Sequence, residues 1–229
     1  MKRIIMLRHG QSQWNLENRF TGWTDVPLSD LGRQEAANAG AKIKAAGLSP
    51  SYFFTSYLRR AIHTLQIAAE EMELDYIPVV KDWHLNERHY GALQGLNKAD
   101  TAKKYGDEQV HIWRRSYDVR PPQLTTADPR YPGNDPRYAA LTTDELPLGE
   151  SLQDTIARVR PCWEEIIAPT LIQGHDTILI AAHGNSLRAL AMMLLHLTPD
   201  QVVSLEIPTG SPWLFETDDR LTVLTNHYL

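Results

Sequence analysis

Two short apolar runs, each ending in a His-Gly pair, constrain the fold of this chain more than any other feature. The first run, 4–7, leads into Arg8-His9-Gly10, and the second, 177–182, leads into His183-Gly184. Runs of this length are typical of buried strands. Because open α/β sheets bind ligands at the carboxyl ends of their strands, the sequence predicts that both histidines reach one crevice.

The other periodic segments alternate between helices and strands, which predicts an α/β fold. Helices are predicted at 29–46, 59–73, 107–115, 151–171 and 187–197. Further strands are predicted at 52–55, 76–80, 202–207, 212–216 and 221–225, the last two forming a hairpin. A chain of 229 residues, 42% of them hydrophobic, can bury one sizeable core, so we expect a single domain over residues 1–229.

The segment 121–149 interrupts this alternation. It contains six prolines and few apolar residues, so it is predicted to contain neither helix nor strand. A domain linker would have a similar composition. Since the segments on either side complete one alternating pattern, we interpret 121–149 as a flap over the sheet.

The charge balance argues against partners that are polyanions. The chain has 23 Lys and Arg against 28 Asp and Glu, a formal charge of −5, so neither nucleic acid nor an anionic membrane is an expected partner. Its single cysteine, Cys162, fits a reducing compartment. The first residues do not resemble a signal peptide, and no stretch approaches the roughly 18 apolar residues of a membrane span, so we expect a cytoplasmic protein.

Cationic side chains near the predicted strand ends indicate phosphate chemistry, because a guanidinium donates paired hydrogen bonds to phosphate. The candidates are Arg8, Arg60, Arg88, Lys98, Arg114 and Arg115. A neutral histidine such as His9 can accept a phosphoryl group on one ring nitrogen while a hydrogen bond fixes the other. Glu87 is the carboxylate best placed to protonate the leaving oxygen.

Each of these residues also has a structural interpretation. A single Arg-His-Gly is a weak motif, His183 alone could be a hydrogen-bonded histidine at a sheet edge, and Arg59-Arg60 could lie on a solvated helix face. The repetition of His-Gly after the two most apolar strands favours a reaction site. Four other histidines lack the close spacing of metal ligands and predict no metal site: His63, His84, His89 and His111.

Longer motifs extend over most of the chain: RHGQSQWN at 8–15, FTGW at 20–23, LNERHYGALQGLNK at 85–98 and AHGNS at 182–186. Together they resemble the cofactor-dependent phosphoglycerate mutase family of the histidine phosphatase superfamily. The stretch 87–98 is the specific part, because Arg-His-Gly alone is shared by many phosphatases of that superfamily. The resemblance implies a three-layer α/β/α fold with a mainly parallel central sheet.

The resemblance also implies a reaction, the interconversion of 3-phosphoglycerate and 2-phosphoglycerate in glycolysis and gluconeogenesis, primed by 2,3-bisphosphoglycerate and without a metal. His9 would carry the phosphoryl group, Glu87 would exchange the proton, and His183 would stabilise the transferring charge with Arg8 and Arg60. Besides Arg8, Arg60 and Glu87, the implied substrate contacts are Gly10, Gln11, Ser12, Gln13, Trp14, Asn15, Thr21, Gly22, Arg88, His89, Tyr90, Lys98, Arg114, Arg115, Gly184 and Asn185. A homodimer or homotetramer is expected.

Two features differ from many members of that family. Gln11 stands where many have Glu, which changes the charge beside His9. The sequence ends at Leu229, whereas some members continue into a flexible tail over the site, so we expect the flap to take more part in closure and some phosphoryl groups to be lost to water. A phosphatase of small phosphate esters is the alternative. A non-catalytic anion sensor would have no use for His9 or Glu87.

Overall fold

Six strands form one sheet in the computed structural model, which describes residues 1–229. They are β1 (Lys2–Arg8), β2 (Tyr52–Thr55), β3 (Val79–Lys81), β4 (Thr177–Ala182), β5 (Pro212–Thr217) and β6 (Val223–Tyr228). Their order is β3-β2-β4-β1-β5-β6, with β1 to β4 parallel and the β5–β6 hairpin antiparallel. The predicted mainly parallel sheet is confirmed.

Helices cover both faces of this sheet. They are α1 (Gln13–Leu16), α2 (Asp30–Ala45), α3 (Arg59–Met72), α4 (Lys98–Tyr105), α5 (Asp107–Arg115), α6 (Leu152–Cys162), α7 (Ala168–Ile172), α8 (Gly184–Leu195) and α9 (Pro199–Ser204). A single turn of π-helix, Trp163–Ile167, joins α6 to α7. None of these helices combines the length and the apolar character that crossing a membrane requires.

Strand β1 shows why the fold has three layers. Ile4 and Met6 pack with residues of α6 and α8, whereas Ile5 and Leu7 pack with residues of α2 and α3 on the opposite face. All four side chains are fully buried, and full burial of such a side chain stabilises the fold by roughly 1.5–3 kcal/mol. Both faces of the central strand are therefore covered, and the predicted α/β/α arrangement is confirmed.

Several predicted elements are confirmed because their local signals are strong. Strands β2 and β4 have the predicted bounds. Ser29 caps α2 by accepting a hydrogen bond from the Gly32 amide, and Ser151 caps α6 in the same way from Asp154. Helices α3 and α5 also lie where they were predicted.

One predicted strand is wrong, and another has the wrong bounds. Residues 202–207 do not form a strand, because Thr198 caps α9, Pro199 occupies its first turn and the Gln201 side chain completes a capping box. The strand predicted at 76–80 is shorter and later, because 74–77 form a turn closed by the Ile77 amide on the Leu74 carbonyl at 3.1 Å. Apolar β-branched residues misled the prediction in both places.

Smaller differences concern element ends and short turns. Helices α1 and α4 were not predicted, and α8 begins at Gly184, directly after the histidine that follows β4. Strand β6 begins two residues later than predicted. The flap contains two single turns of 3-10 helix, Pro132–Asn134 and Pro136–Tyr138, where none was predicted.

Candidate active site

The two histidines of the His-Gly pairs meet at the carboxyl ends of β1 and β4. The strands pair with Arg8 opposite Ala182, and the His9 amide donates to the Ala182 carbonyl at 3.0 Å. The ring centroids of His9 and His183 lie 5.0 Å apart, with an interplanar angle of 61°. The parallel register thus joins two residues that are far apart in the sequence.

The hydrogen bond made by His9 fixes its tautomer. Its Nδ1 atom lies 2.6 Å from the Gly10 carbonyl, which can only accept, so Nδ1 carries the proton and Nε2 carries the lone pair. Burial lowers the pKa of His9 well below its ordinary value, and the charges of Arg60 and Arg8 lower it further. His9 is therefore neutral near pH 7 and keeps a nucleophilic Nε2.

Arg60 places a positive charge beside that nitrogen. Its Nε atom donates to His9 Nε2 at 3.3 Å, while Nη1 donates to the Thr24 carbonyl at 3.0 Å and Nη2 to the Gly22 carbonyl at 2.7 Å. Burial lowers the pKa of Arg60 to about 10, so the guanidinium stays charged near pH 7. The loop between α1 and α2 thereby fixes a cation next to the nucleophile.

His183 is oriented by a third strand end. It is fully buried, and its Nε2 atom lies 2.7 Å from Ser56 Oγ, just after β2. The Ser56 hydroxyl also accepts a hydrogen bond from the Leu58 amide at 3.1 Å. Burial and the Arg60 charge lower the pKa of His183 well below its ordinary value, so this ring is also neutral near pH 7.

A carboxylate reaches the same cavity from the segment after β3. Glu87 Oε1 accepts hydrogen bonds from the Arg88 amide at 2.8 Å and from the Asn185 amide at 3.1 Å. Asn185 lies in the first turn of α8, where main-chain amides favour an anion. Oε2 accepts no hydrogen bond and is free to exchange a proton.

A buried ion pair holds the main chain on both sides of Glu87. Arg158 Nε lies 2.6 Å from Glu150 Oε1, and each side chain is only 6% exposed. Arg158 also donates to the carbonyls of Asn86 and Glu87, at 3.2 and 3.0 Å, and Glu150 accepts from the His89 amide at 2.8 Å. Neither Arg158 nor Glu150 was predicted, since both act on main-chain atoms that no motif identifies.

One cavity joins His9 and Glu87. Its cationic lining consists of Arg8, Arg19, Arg60, Lys98, Arg114, Arg115 and Arg188, and its acidic lining of Glu87 and Glu206. The remaining lining residues are His9, Asn15, Phe20, Thr21, Gly22, Tyr90, Gly184 and Asn185. A cavity with this excess of positive charge suits a ligand that carries several negative charges.

Seven residues implied as substrate contacts lie outside the cavity lining: Gly10, Gln11, Ser12, Gln13, Trp14, Arg88 and His89. Gly10 packs so tightly that a Cβ atom there would collide with the Gly32 carbonyl. The Gln11 side chain accepts from Ser29 Oγ at 2.8 Å, and Ser12 caps α1. The structure gives these residues of the first motif a role in shaping the turn after β1.

Arg88 is turned away from the cavity. It is almost fully buried, and its Nε atom donates to the Glu150 carbonyl at 2.6 Å. One Nη atom donates to the carbonyls of Trp113 and Val119, at 2.8 and 3.3 Å. Arg88 therefore links α5 and the ends of the flap to the Glu87 segment. Its guanidinium donates to main-chain carbonyls and does not face the cavity.

The flap, 121–149, contributes no residue to the cavity lining. Its buried Tyr138 packs on Trp23, with ring centroids 4.8 Å apart, and accepts a hydrogen bond from the Asn86 side chain at 2.8 Å. Trp23 in turn donates to the Glu87 carbonyl at 2.6 Å. The flap thus supports the Glu87 segment from the side, and the expectation that it covers the cavity is not met in this conformation.

Four lining residues were missed by sequence reasoning: Arg19, Phe20, Arg188 and Glu206. Arg188 lies one helical turn after Gly184, so it shares the face of α8 that opens on the cavity, and this spacing could have identified it. Glu206 follows α9, and the false strand at 202–207 hid its position.

Comparisons with known proteins extend these findings. The family model described as histidine phosphatase superfamily (branch 1) matches residues 4–131 and 123–228. The chain is 55% identical over its whole length to the 2,3-bisphosphoglycerate-dependent phosphoglycerate mutase of Hydrogenobaculum sp. (strain Y04AAS1) and covers 92% of that protein.

Solved structures share the fold. A mycobacterial glucosyl-3-phosphoglycerate phosphatase, solved with VO3, superposes with a TM-score of 0.74 at 26% identity, covering 100% of this chain and 97% of that one. The alpha-ribazole phosphatase of Shigella flexneri superposes with a TM-score of 0.70 at 20% identity, covering 97% and 94%. At the lower identity the likeness concerns the fold alone.

Proposed function

Since the chain belongs to the histidine phosphatase superfamily, we propose that it interconverts 3-phosphoglycerate and 2-phosphoglycerate, an isomerase reaction of glycolysis and gluconeogenesis. The observation that carries this proposal is the neutral His9, whose unprotonated Nε2 lies beside Arg60 in a cavity that also holds a carboxylate. The relative that is 55% identical supports the choice of substrates.

His9 is the nucleophile of the proposed mechanism. Its Nε2 lone pair attacks the phosphorus atom, the P–N bond forms as the bond to the leaving oxygen breaks, and Nδ1 stays protonated on the Gly10 carbonyl. Arg8 and Arg60 offer fixed positive charge to the phosphoryl oxygens. His183 does not line the cavity, and we propose that its neutral ring, held at Nε2 by Ser56, stabilises the charge on the transferring group through Nδ1, which has no other partner.

Glu87 is the proposed proton donor and acceptor. When a phosphoryl group moves to His9, the leaving hydroxyl oxygen needs a proton, which a protonated Glu87 supplies. In the reverse transfer the ionised Glu87 removes the proton from the attacking hydroxyl group. Starting from phosphorylated His9, the free hydroxyl of 3-phosphoglycerate takes up that phosphoryl group, and the other phosphate of the resulting bisphosphoglycerate then returns to His9, which leaves 2-phosphoglycerate.

The cationic lining fits 2,3-bisphosphoglycerate, which when bound supplies the phosphoryl group that primes His9. Such a ligand carries two phosphates and a carboxylate, and the cavity has seven cationic side chains to receive them. We propose that Arg8 and Arg60 receive the reacting phosphate. Lys98, Arg114 and Arg115, with Asn15, Tyr90 and Asn185, are proposed to hold the rest of the molecule.

We also propose a cellular location and an oligomeric state. A glycolytic activity supports a cytoplasmic location. A homodimer or homotetramer is proposed from the family resemblance, and the exposed apolar side chains beside the edge strand β3, Tyr76 at 78% and Val79 at 45%, support an interface between copies. Light scattering on the purified chain measures that assembly.

Trapping the phosphorylated protein tests the function directly. Incubation with labelled 2,3-bisphosphoglycerate is expected to leave an acid-labile label on His9, and His9→Ala is expected to lose both the label and the isomerisation. His63→Ala, at a half-buried histidine of α3 outside the cavity, is the matched control. The superfamily alternative, hydrolysis of small phosphate esters, would be favoured if phosphate release exceeded 2-phosphoglycerate formation with 3-phosphoglycerate and primer present.

A further inference from the structure

Glu206 is an acidic residue in a cavity that receives anions. One of its carboxylate oxygens lies 2.9 Å from Arg115 Nη1, and its side chain is 67% exposed. Both residues belong to the cavity lining. The mechanism described above assigns Arg115 to the ligand and gives Glu206 no role, so this ion pair requires its own explanation.

Arg115 differs from four of the other five arginines around the cavity. Arg8, Arg19, Arg60 and Arg188 each donate to a main-chain carbonyl, for example Arg8 to Ile207 at 2.7 Å and Arg188 to Leu205 at 2.7 Å. Arg115 makes no hydrogen bond of this kind, and its partner is the Glu206 carboxylate. Its guanidinium can therefore exchange one anion for another without leaving a buried carbonyl unpaired.

Glu206 is well placed to return after such an exchange. It lies between Leu205 and Ile207, whose carbonyls accept from Arg188 and Arg8, so its main chain is tied to two fixed cations. Arg188 Nη2 lies 3.9 Å from the second carboxylate oxygen. The carboxylate thus has a second charged neighbour on the same side of the cavity.

The ion pair is weak enough to be displaced. An exposed ion pair changes a folding or binding equilibrium constant by only about 1.5- to 5-fold. A doubly charged phosphate accepts stronger, charge-assisted hydrogen bonds from a guanidinium. A ligand anion can therefore displace Glu206 from Arg115 at a small cost in affinity.

We propose that Glu206 is a resident counter-anion for Arg115, which it holds until the second anionic group of a phosphoglycerate or bisphosphoglycerate replaces it. Glu206 thereby weakens the binding of ligands that reach Arg115 and eases their release. This inference rests on the proposed function, because it takes the ligand to be a phosphorylated acid with at least two anionic groups.

Ligand binding in a double-mutant cycle tests the proposal. The full chain with His9→Ala, which cannot be phosphorylated there, is titrated calorimetrically with 2,3-bisphosphoglycerate at fixed ionic strength. Adding Glu206→Gln is expected to tighten binding about 1.5- to 5-fold. Adding the same change to Arg115→Gln is expected to leave the affinity almost unchanged, because Glu206 then no longer occupies the arginine that the ligand would reach. The control is Glu164→Gln. It also removes one exposed carboxylate that pairs with an arginine, Arg160, but it lies outside the cavity.

The outcomes separate this proposal from the function. The His9→Ala chain is the parent in these titrations. If the parent binds well and Glu206→Gln weakens binding or leaves it unchanged, the counter-anion role is overturned and the mutase proposal stands. Equal tightening with and without Arg115 also overturns it, since Glu206 would then act as a general negative charge. If the parent does not bind 2,3-bisphosphoglycerate and the unmodified protein does not isomerise 3-phosphoglycerate, both proposals fail.

Discussion

The Nε–H group of Arg60 points at the Nε2 atom of His9 across 3.3 Å. The two side chains come from α3 and from the end of β1, and carbonyls of the intervening loop hold the guanidinium in place. The cation thus lies where charge collects during transfer to His9, already oriented before a ligand arrives.

Replacing Arg60 is therefore expected to slow phosphoryl transfer to His9. Arg60→Gln is expected to slow the phosphorylation of His9 by roughly 10²- to 10³-fold, the usual loss for one preorganised donor. Rapid-quench measurement of labelled protein gives this rate. Arg59→Gln, at the exposed neighbour in the same helix, is the control and is expected to change the rate little. A comparable loss at both positions would contradict the assignment.

Lys98 gives ligand binding a pH dependence above neutrality. Burial and the Arg114 charge lower its pKa to about 8, so the ammonium group loses its proton as the pH rises through that value. The affinity for 2,3-bisphosphoglycerate is expected to fall over the same range in the His9→Ala background. Lys98→Arg keeps the charge and is expected to flatten the profile above pH 8. An unchanged profile in that variant would assign the titration to another group.

The Glu150–Arg158 ion pair is expected to stabilise the chain and to position Glu87. Arg158→Met leaves the buried Glu150 carboxylate without a counter-charge and several carbonyls without a donor, so the free energy of unfolding is expected to fall by about 3–5 kcal/mol. Chemical denaturation measures this value. Arg120→Gln breaks an exposed pair with Asp154 and is expected to cost no more than about 1 kcal/mol.

Steady-state kinetics tests whether the Glu150–Arg158 ion pair also positions Glu87. Arg158→Lys keeps a charge near Glu150 but cannot reach several carbonyls at once. It is expected to lower kcat more than it raises KM, because the proton donor is displaced while the cationic lining is intact. A change in KM alone would mean that the pair does not act through Glu87.

Acid stability follows from the buried neutral histidines. Burial lowers the pKa of His9 and His183 well below the ordinary value and that of His89 to about 3, so the unfolded chain takes up protons that the folded chain does not. Above about pH 6.5 these histidines therefore leave the free energy of unfolding unchanged. As the pH drops below that value, each of them lowers the free energy of unfolding by up to roughly 1.4 kcal/mol per pH unit. His183→Gln is expected to reduce that slope, and an unchanged slope would count against the assignment.

The sequence identified the strand ends but not the direction of every side chain. His9 and His183 could be predicted because an apolar run followed by a turn has few alternatives in an α/β fold. The sequence could not show that Glu87 faces the cavity while its neighbour Arg88 points away from it. In an irregular segment, packing alone decides in which direction adjacent side chains point. The Arg88 guanidinium is committed to carbonyls of three distant segments.

Weak local signals explain the remaining differences. Val202 and Val203 favour a strand, but the capping group of Thr198 and the proline after it begin a helix instead. Glu206 was missed for the same reason, because its place at the cavity depends on where that helix ends. Contacts that join distant segments, such as Arg115 with Glu206, have no signature within either segment.

The position of β1 between β4 and β5 has a consequence for biosynthesis. Residue 177, where β4 begins, is translated about 170 residues after the apolar residues of β1, an interval of roughly 10–30 s at ordinary elongation rates. During that time the nascent β1 lacks both of its sheet neighbours, so the main-chain amides and carbonyls on both of its edges have no strand to pair with. The nucleophile of the site is thus made first, but its surroundings are completed only near the end of translation.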